Sequence, residues 1–195
     1  MPFRATAFLP GQYYHMYNRG SSRGLIFFEQ ENYRYLMRLF RKYVAGMNIA
    51  IIAYCLMPNH YHFLVRQNGT AHAGLLFQRV FNAYSKAINK RFNRTGTLFE
   101  GRFHSVHVDE SAYLLHLCRY IHANPVKAGL AVSPDGWEHS DYRQWVGLEK
   151  GGISVQEFIR ANFGEGNEYA EFVAAYLSNK RPLPIGIEKY LPEDA

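Results

Sequence analysis

Two histidines one residue apart, His60 and His62 in MPNHYHFLV, follow a proline-asparagine pair and open an apolar run. Side chains in a strand alternate faces, so both imidazoles point the same way and Tyr61 points the other. A same-face pair of neutral imidazoles can reach one metal ion when a third donor arrives from elsewhere in the fold. HLCRYIHANPVKAGL holds a candidate for that donor, because His116, Tyr120 and Asn124 are four residues apart and share one helical face. Tyr113, Leu117 and Ile121 form the neighbouring apolar stripe, which puts Tyr120 at the margin of the buried side, where a phenol can project into a cleft. One turn on, the amide oxygen of Asn124 is the hard donor that two histidines lack.

These residues need a strand and a helix held against each other, and the rest of the chain supplies the frame. The patterning predicts a first strand over 12–18, a helix over 31–44 closed by Gly46, a second strand over 48–57 and a third over 60–65. Thr70 reads as the cap of a helix within 69–92, built on Leu75, Leu76, Val80, Ala83 and Ala87. A fourth strand is expected near 103–108, and then a helix that starts at Asp109-Glu110-Ser111 and ends at Pro125. Strand, helix, strand, strand, helix, strand is the order of a ferredoxin-like or RRM-like α+β fold, an antiparallel sheet with its helices packed on one face, here with an extra helix. We expect a main domain over 1–147 and a C-terminal tail over 148–195, with short helices at 155–163 and 169–178 and an irregular end.

The charge balance points to a polyanionic partner. The chain has 22 Lys and Arg against 16 Asp and Glu. The excess gathers between Arg79 and Arg102, where Arg79, Lys86, Lys90, Arg91, Arg94 and Arg102 face the single acid Glu100. Basic side chains among many tyrosines and phenylalanines suit phosphate neutralisation and base stacking on single-stranded nucleic acid. Arg19 and Arg23 flank a Gly/Ser loop that can come close to such a strand. No apolar run is long enough to span a membrane and the N-terminus lacks a secretory pattern, so a cytoplasmic location is expected. Cys55 and Cys118 lie far apart in apolar surroundings, as packed, reduced thiols would.

His60-Tyr61-His62 resembles the HUH motif, and RYIHANPVKAGL resembles the tyrosine helix of the REP-associated tyrosine transposases, relatives of the IS200-like single-tyrosine transposases. The resemblance runs from about Tyr13 to Tyr142 and includes MPNHYHFLV, GTLFEGRFHS and NPVKAGL. It implies a transposase domain over 1–147, with His60 and His62 as metal ligands, Asn124 completing the site for Mg²⁺ or Mn²⁺, and Tyr120 as nucleophile. It further implies cleavage and rejoining of single-stranded DNA beside a hairpin through a 5′-phosphotyrosine, by a monomer or homodimer. Tyr61 stands where the family carries an aliphatic residue, and alternation turns it into the packing. The competing expectation is a non-catalytic module that presents an RRM-like sheet to single-stranded nucleic acid.

Overall fold

The computed structural model of the chain describes residues 7–154, 156–163 and 167–192. Four strands, β1 (Tyr13–Arg19), β2 (Ile49–Met57), β3 (His60–Gln67) and β4 (His104–Val108), form one antiparallel sheet in the order β2-β3-β1-β4. The helices are α1 (Gln30–Val44), α2 (Ala73–Arg91), α3 (Leu114–Lys127), α4 (Tyr142–Trp145), α5 (Gln156–Asn162) and α6 (Asn167–Leu177). The α+β class and the antiparallel sheet are those the sequence predicts.

The helices, however, divide between both faces of the sheet instead of gathering on one. Tyr61, Phe63 and Val65 of β3 pack with Leu36 and Phe40 of α1 and with Phe77, Phe81 and Tyr84 of α2. On the other face Ala53, Cys55 and Met57 of β2 and Leu64 of β3 pack with Leu117, Cys118 and Ile121 of α3. The reason is in the strands themselves. IIAYCLM carries apolar side chains at odd and even positions alike, and β2 and β3 are buried along nearly their whole length, so each face needs a cover. A register shift between Ile51 and Ala53 places both Ile52 and Ala53 on the α3 side.

Two helix boundaries differ from expectation. His72, not Thr70, caps α2, its ring nitrogen accepting from the Leu75 N–H at 3.1 Å. α3 runs through Pro125 to Lys127 and stops at Gly129, whose φ of 69° only glycine adopts readily. A proline in the last turn removes one backbone bond where the helix is about to end, a smaller loss than in its interior. Before α3, residues 111–113 form a 3-10 turn.

The C-terminal third joins the α3-side core. Phe163, Tyr169, Val173, Tyr176, Ile187 and Tyr190 are buried with α3, and the guanidinium of Arg119 lies 4.3 Å from the Phe172 ring while donating to the carbonyls of Arg181 and Pro182. Beneath this layer Asp141 is fully buried and accepts from the Tyr54 N–H at 2.6 Å, His122 Nε2 at 2.8 Å, Trp145 Nε1 at 3.0 Å and Ser154 Oγ at 2.5 Å. His122 Nδ1 meets the Tyr169 hydroxyl at 2.6 Å. One carboxylate thus ties β2, α3, α4 and the segment before α5. Cys55 and Cys118 are free thiols whose burial pushes their pKa well up.

Asp141→Ala leaves four donors without their acceptor in a dry site and is expected to lower the free energy of unfolding by about 3–5 kcal/mol. Urea denaturation checks this, and a loss below about 1 kcal/mol would show that water takes over the carboxylate's role.

Candidate active site

Antiparallel pairing sets a row of polar side chains on the α3-facing side of the sheet. Cys55, His62, Tyr17 and His104 are successive cross-strand partners, and Met57, His60 and Arg19 form the next row toward the strand ends. α3 crosses this surface and brings Tyr120 onto it. The Tyr120 ring meets His62 edge-on at 5.7 Å between centroids and His15 at 6.5 Å. His60, His62, Tyr120 and Asn124 line a single cleft of about 640 Å³, with Tyr17, Asn59 and His104 along its wall. The same-face reading of the histidine pair and the one-turn spacing of Tyr120 and Asn124 therefore meet in three dimensions.

Local hydrogen bonds orient the candidate donors. The Asn59 amide nitrogen donates to the Arg23 carbonyl at 3.3 Å, which turns Asn59 Oδ1 toward His60 Nδ1 at 2.7 Å. In that arrangement Nδ1 is the donor to Asn59, and a neutral His60 has its lone pair on Nε2. Asn124 Nδ2 donates back along α3 to the Tyr120 carbonyl at 3.0 Å, so Oδ1 is the acceptor end of its side chain. His62 retains only 3% of its surface, and burial, with His15 and His60 nearby, holds its pKa well below the ordinary histidine value. Its Nδ1 lies 3.1 Å from Nε2 of His15.

His15 is the residue that sequence reading missed. It is fully buried on β1, and burial lowers its pKa to about 4 against the opposing effect of a 2.6 Å hydrogen bond to the Tyr190 carbonyl. The available signal was alternation in YYHMYN: Tyr14 and Met16 pack toward α1 and α2, which sends His15 and Tyr17 to the histidine face. His116, by contrast, packs on Phe172, and His122 belongs to the Asp141 cluster.

The candidate DNA contacts separate into groups. Arg19 and Arg23 line the cleft, Arg19 paired with Glu100. Lys127 lines it too, its Nζ donating to the Tyr176 hydroxyl at 2.6 Å. Arg102 lines a second cavity of about 480 Å³ together with Phe77, Phe81 and Phe103. Arg79, Lys86, Lys90 and Arg91 are exposed on α2, the helix that covers the other face of the sheet; Arg91 pairs with Glu29, and Arg94 lies 5.0 Å from the Phe28 ring.

The family model described as "Transposase IS200 like" matches residues 9–124, a span that holds the histidine pair, Tyr120 and Asn124. A search of curated proteins finds no match. Among solved structures, the fold is similar to one described as a REP-associated tyrosine transposase bound to a REP hairpin. That similarity has a TM-score of 0.64 at 18% identity and covers 80% of this chain and 94% of that one. A candidate transposase from Deinococcus radiodurans shows 16% identity and a TM-score of 0.41, over 62% of this chain and 95% of that one.

Proposed function

The chain belongs to the IS200-like transposase family, and from that premise we propose that it cleaves and rejoins single-stranded DNA next to hairpins of the REP type, with Tyr120 as the nucleophile and a divalent cation held by His60, His62 and Asn124. The observation that carries this reading is the convergence of those four side chains on one cleft. A hairpin partner is supported by the similar fold described in complex with a REP hairpin.

The donor set joins two imidazoles to one amide oxygen: the oxygen is a donor of the kind that Mg²⁺ and Mn²⁺ take, and the imidazoles favour Mn²⁺ over the harder Mg²⁺. Among the described residues no three His, Cys, Asp or Glu side chains gather to hold a metal, so a third protein donor is sought among other oxygens. Of the cleft's asparagines, Asn18 Oδ1 accepts from the Arg19 N–H at 2.9 Å and Asn59 Oδ1 is turned to His60, which favours Asn124. When bound, the cation supplies a Lewis acid that polarises a phosphoryl oxygen.

The side chains of the chain do the rest. Tyr120 is almost wholly buried between α3 and the histidine row, so its phenol has little freedom and holds a fixed line of approach to a phosphate in the cleft. Attack by the phenol oxygen forms a P–O bond to Tyr120 and breaks the bond to the 3′ oxygen, which takes up a proton as the phenol loses one. The phosphodiester becomes a phosphotyrosine without hydrolysis, which keeps its energy for rejoining. Arg19, Arg23 and Lys127 neutralise phosphates at the cleft mouth.

Two measurements test this. With end-labelled single-stranded hairpin DNA and Mn²⁺, the wild type is expected to yield a protein–DNA adduct that survives denaturation, and Tyr120→Phe to abolish it and lower cleavage by at least about a thousandfold. Cleavage that persists without an adduct would mean hydrolysis, and binding without cleavage would mean a non-catalytic module. Removing divalent cations with a chelator, or substituting His60→Ala, is expected to slow adduct formation by about a hundredfold or more while hairpin binding persists. Unchanged rates under chelation would remove the metal from the reading.

A further inference from the structure

The cleft-facing behaviour of His62 is decided behind it, in a hydrogen-bonded chain that begins at a group unable to donate. The Tyr190 carbonyl can only accept, so at 2.6 Å it requires the proton of His15 on Nδ1. A neutral His15 then has its lone pair on Nε2, which faces His62 Nδ1 at 3.1 Å. That nitrogen must donate, and a neutral His62 is left with its lone pair on Nε2. Reversing either ring would set lone pair against lone pair inside a site where both histidines are almost fully buried, the costly case of unsatisfied buried polar groups.

We propose that His15 is a positioning residue for His62, and that the Tyr190 carbonyl, acting through it, fixes His62 with its proton on Nδ1 and its donor pair on Nε2. The inference rests on the reading of His62 as a cation ligand, for which a defined lone pair on one nitrogen is the requirement. Geometry holds the chain in place from both ends. His15 sits on β1 opposite Leu64 and so lies diagonal to His62 on the same face of the sheet. Tyr190 ends a 3-10 turn over Ile187–Tyr190, its side chain 1% exposed and its hydroxyl donating to Asp109 at 2.5 Å. Both rings are shut away from water, so each of their contacting nitrogens must be satisfied within the chain itself. The C-terminal segment is therefore part of the ligand's support as well as of the core, although it lies beyond the stretch matched by the family model.

The test uses the full chain, labelled with ¹⁵N-histidine and free of metal near pH 7, where long-range ¹H–¹⁵N correlation separates a protonated ring nitrogen from one with a lone pair. Wild type is expected to show His62 protonated on Nδ1. His15→Phe keeps a ring in the space but removes both nitrogens. It is expected to give a mixture of His62 tautomers and to weaken Mn²⁺ binding, followed by calorimetry, by about 10–100-fold. His15→Gln offers an amide N–H to the Tyr190 carbonyl and an amide oxygen to His62, and is expected to restore the tautomer and most of the affinity, a rescue that packing alone would not give. A wild type with His62 protonated on Nε2 overturns the proposal whatever the variants do, as does unchanged Mn²⁺ affinity in folded His15→Phe. A wild type that has the expected tautomer yet binds no Mn²⁺ sinks the metal reading, and with it the purpose assigned to the relay, which tells the two failures apart.

Discussion

Apolar side chains on both faces of β2 and β3 are the constraint from which the site follows. A strand pair that is apolar on one face could leave its other face, and His62 with it, to water. Here Cys55, Met57 and Leu64 share a face with the histidines and must be covered, and α3 covers them. The cover lands Tyr120 on His62 and removes His62 from water in the same step. Packing thus brings the Tyr120 phenol and the His62 imidazole together before any polar contact between them is counted.

Covering that face carries a cost, since polar groups go under with the apolar ones. The chain meets it twice, on either side of Tyr120. Toward the interior, His122 is held between the Tyr169 hydroxyl and Asp141, whose carboxylate accepts from the Tyr54 N–H, Trp145 Nε1 and Ser154 Oγ as well. Toward the cleft, His15 is held between a backbone carbonyl and His62. The two clusters obey the same rule, that a buried polar group must find a partner, and differ in where they end. The first closes on itself and acts as a fastening, whereas the second runs out at a ring nitrogen on the wall of the cleft.

Much of this was legible in the sequence because it depended on local periodicity. Alternation put His60 and His62 on one face, and helical spacing put Asn124 one turn beyond Tyr120; neither depends on what the elements pack against. What was not legible depended on tertiary partners. The placement of α3 on the far side of the sheet requires knowing that Ile52, Ala53, Cys55 and Leu64 need covering as much as Phe63 and Val65 do, and a continuous apolar run does not name its two sides. His15 looked like one more residue of an aromatic strand, because its partner Tyr190 lies 175 positions away in sequence. Pro125 read as a stop, yet it falls so near the end of α3 that the missing N–H costs the helix little. The basic residues of 79–102 formed one group in sequence, but α2 carries most of them over the opposite face.

That last division constrains how a polyanion can meet the protein. The bridge between Gly20 and Phe99 and the contacts of Ile26 with the Pro58 carbonyl bring the loop after β1, the turn before β3 and the segment after α2 to one end of the sheet, the end at which the cleft opens. Arg91 and Arg94, at the C-terminal end of α2, reach Glu29 and Phe28 just beyond this loop. Arg19 and Arg23 line the cleft at that end, while Arg91 and Arg94 lie against the residues that lead into α1. Two of the four are held by carboxylates, Arg19 by Glu100 and Arg91 by Glu29, in pairs with substantial exposure. Exposed ion pairs contribute little to stability, so exchanging a carboxylate for a phosphate oxygen costs the fold little while the pairing keeps the guanidinium extended.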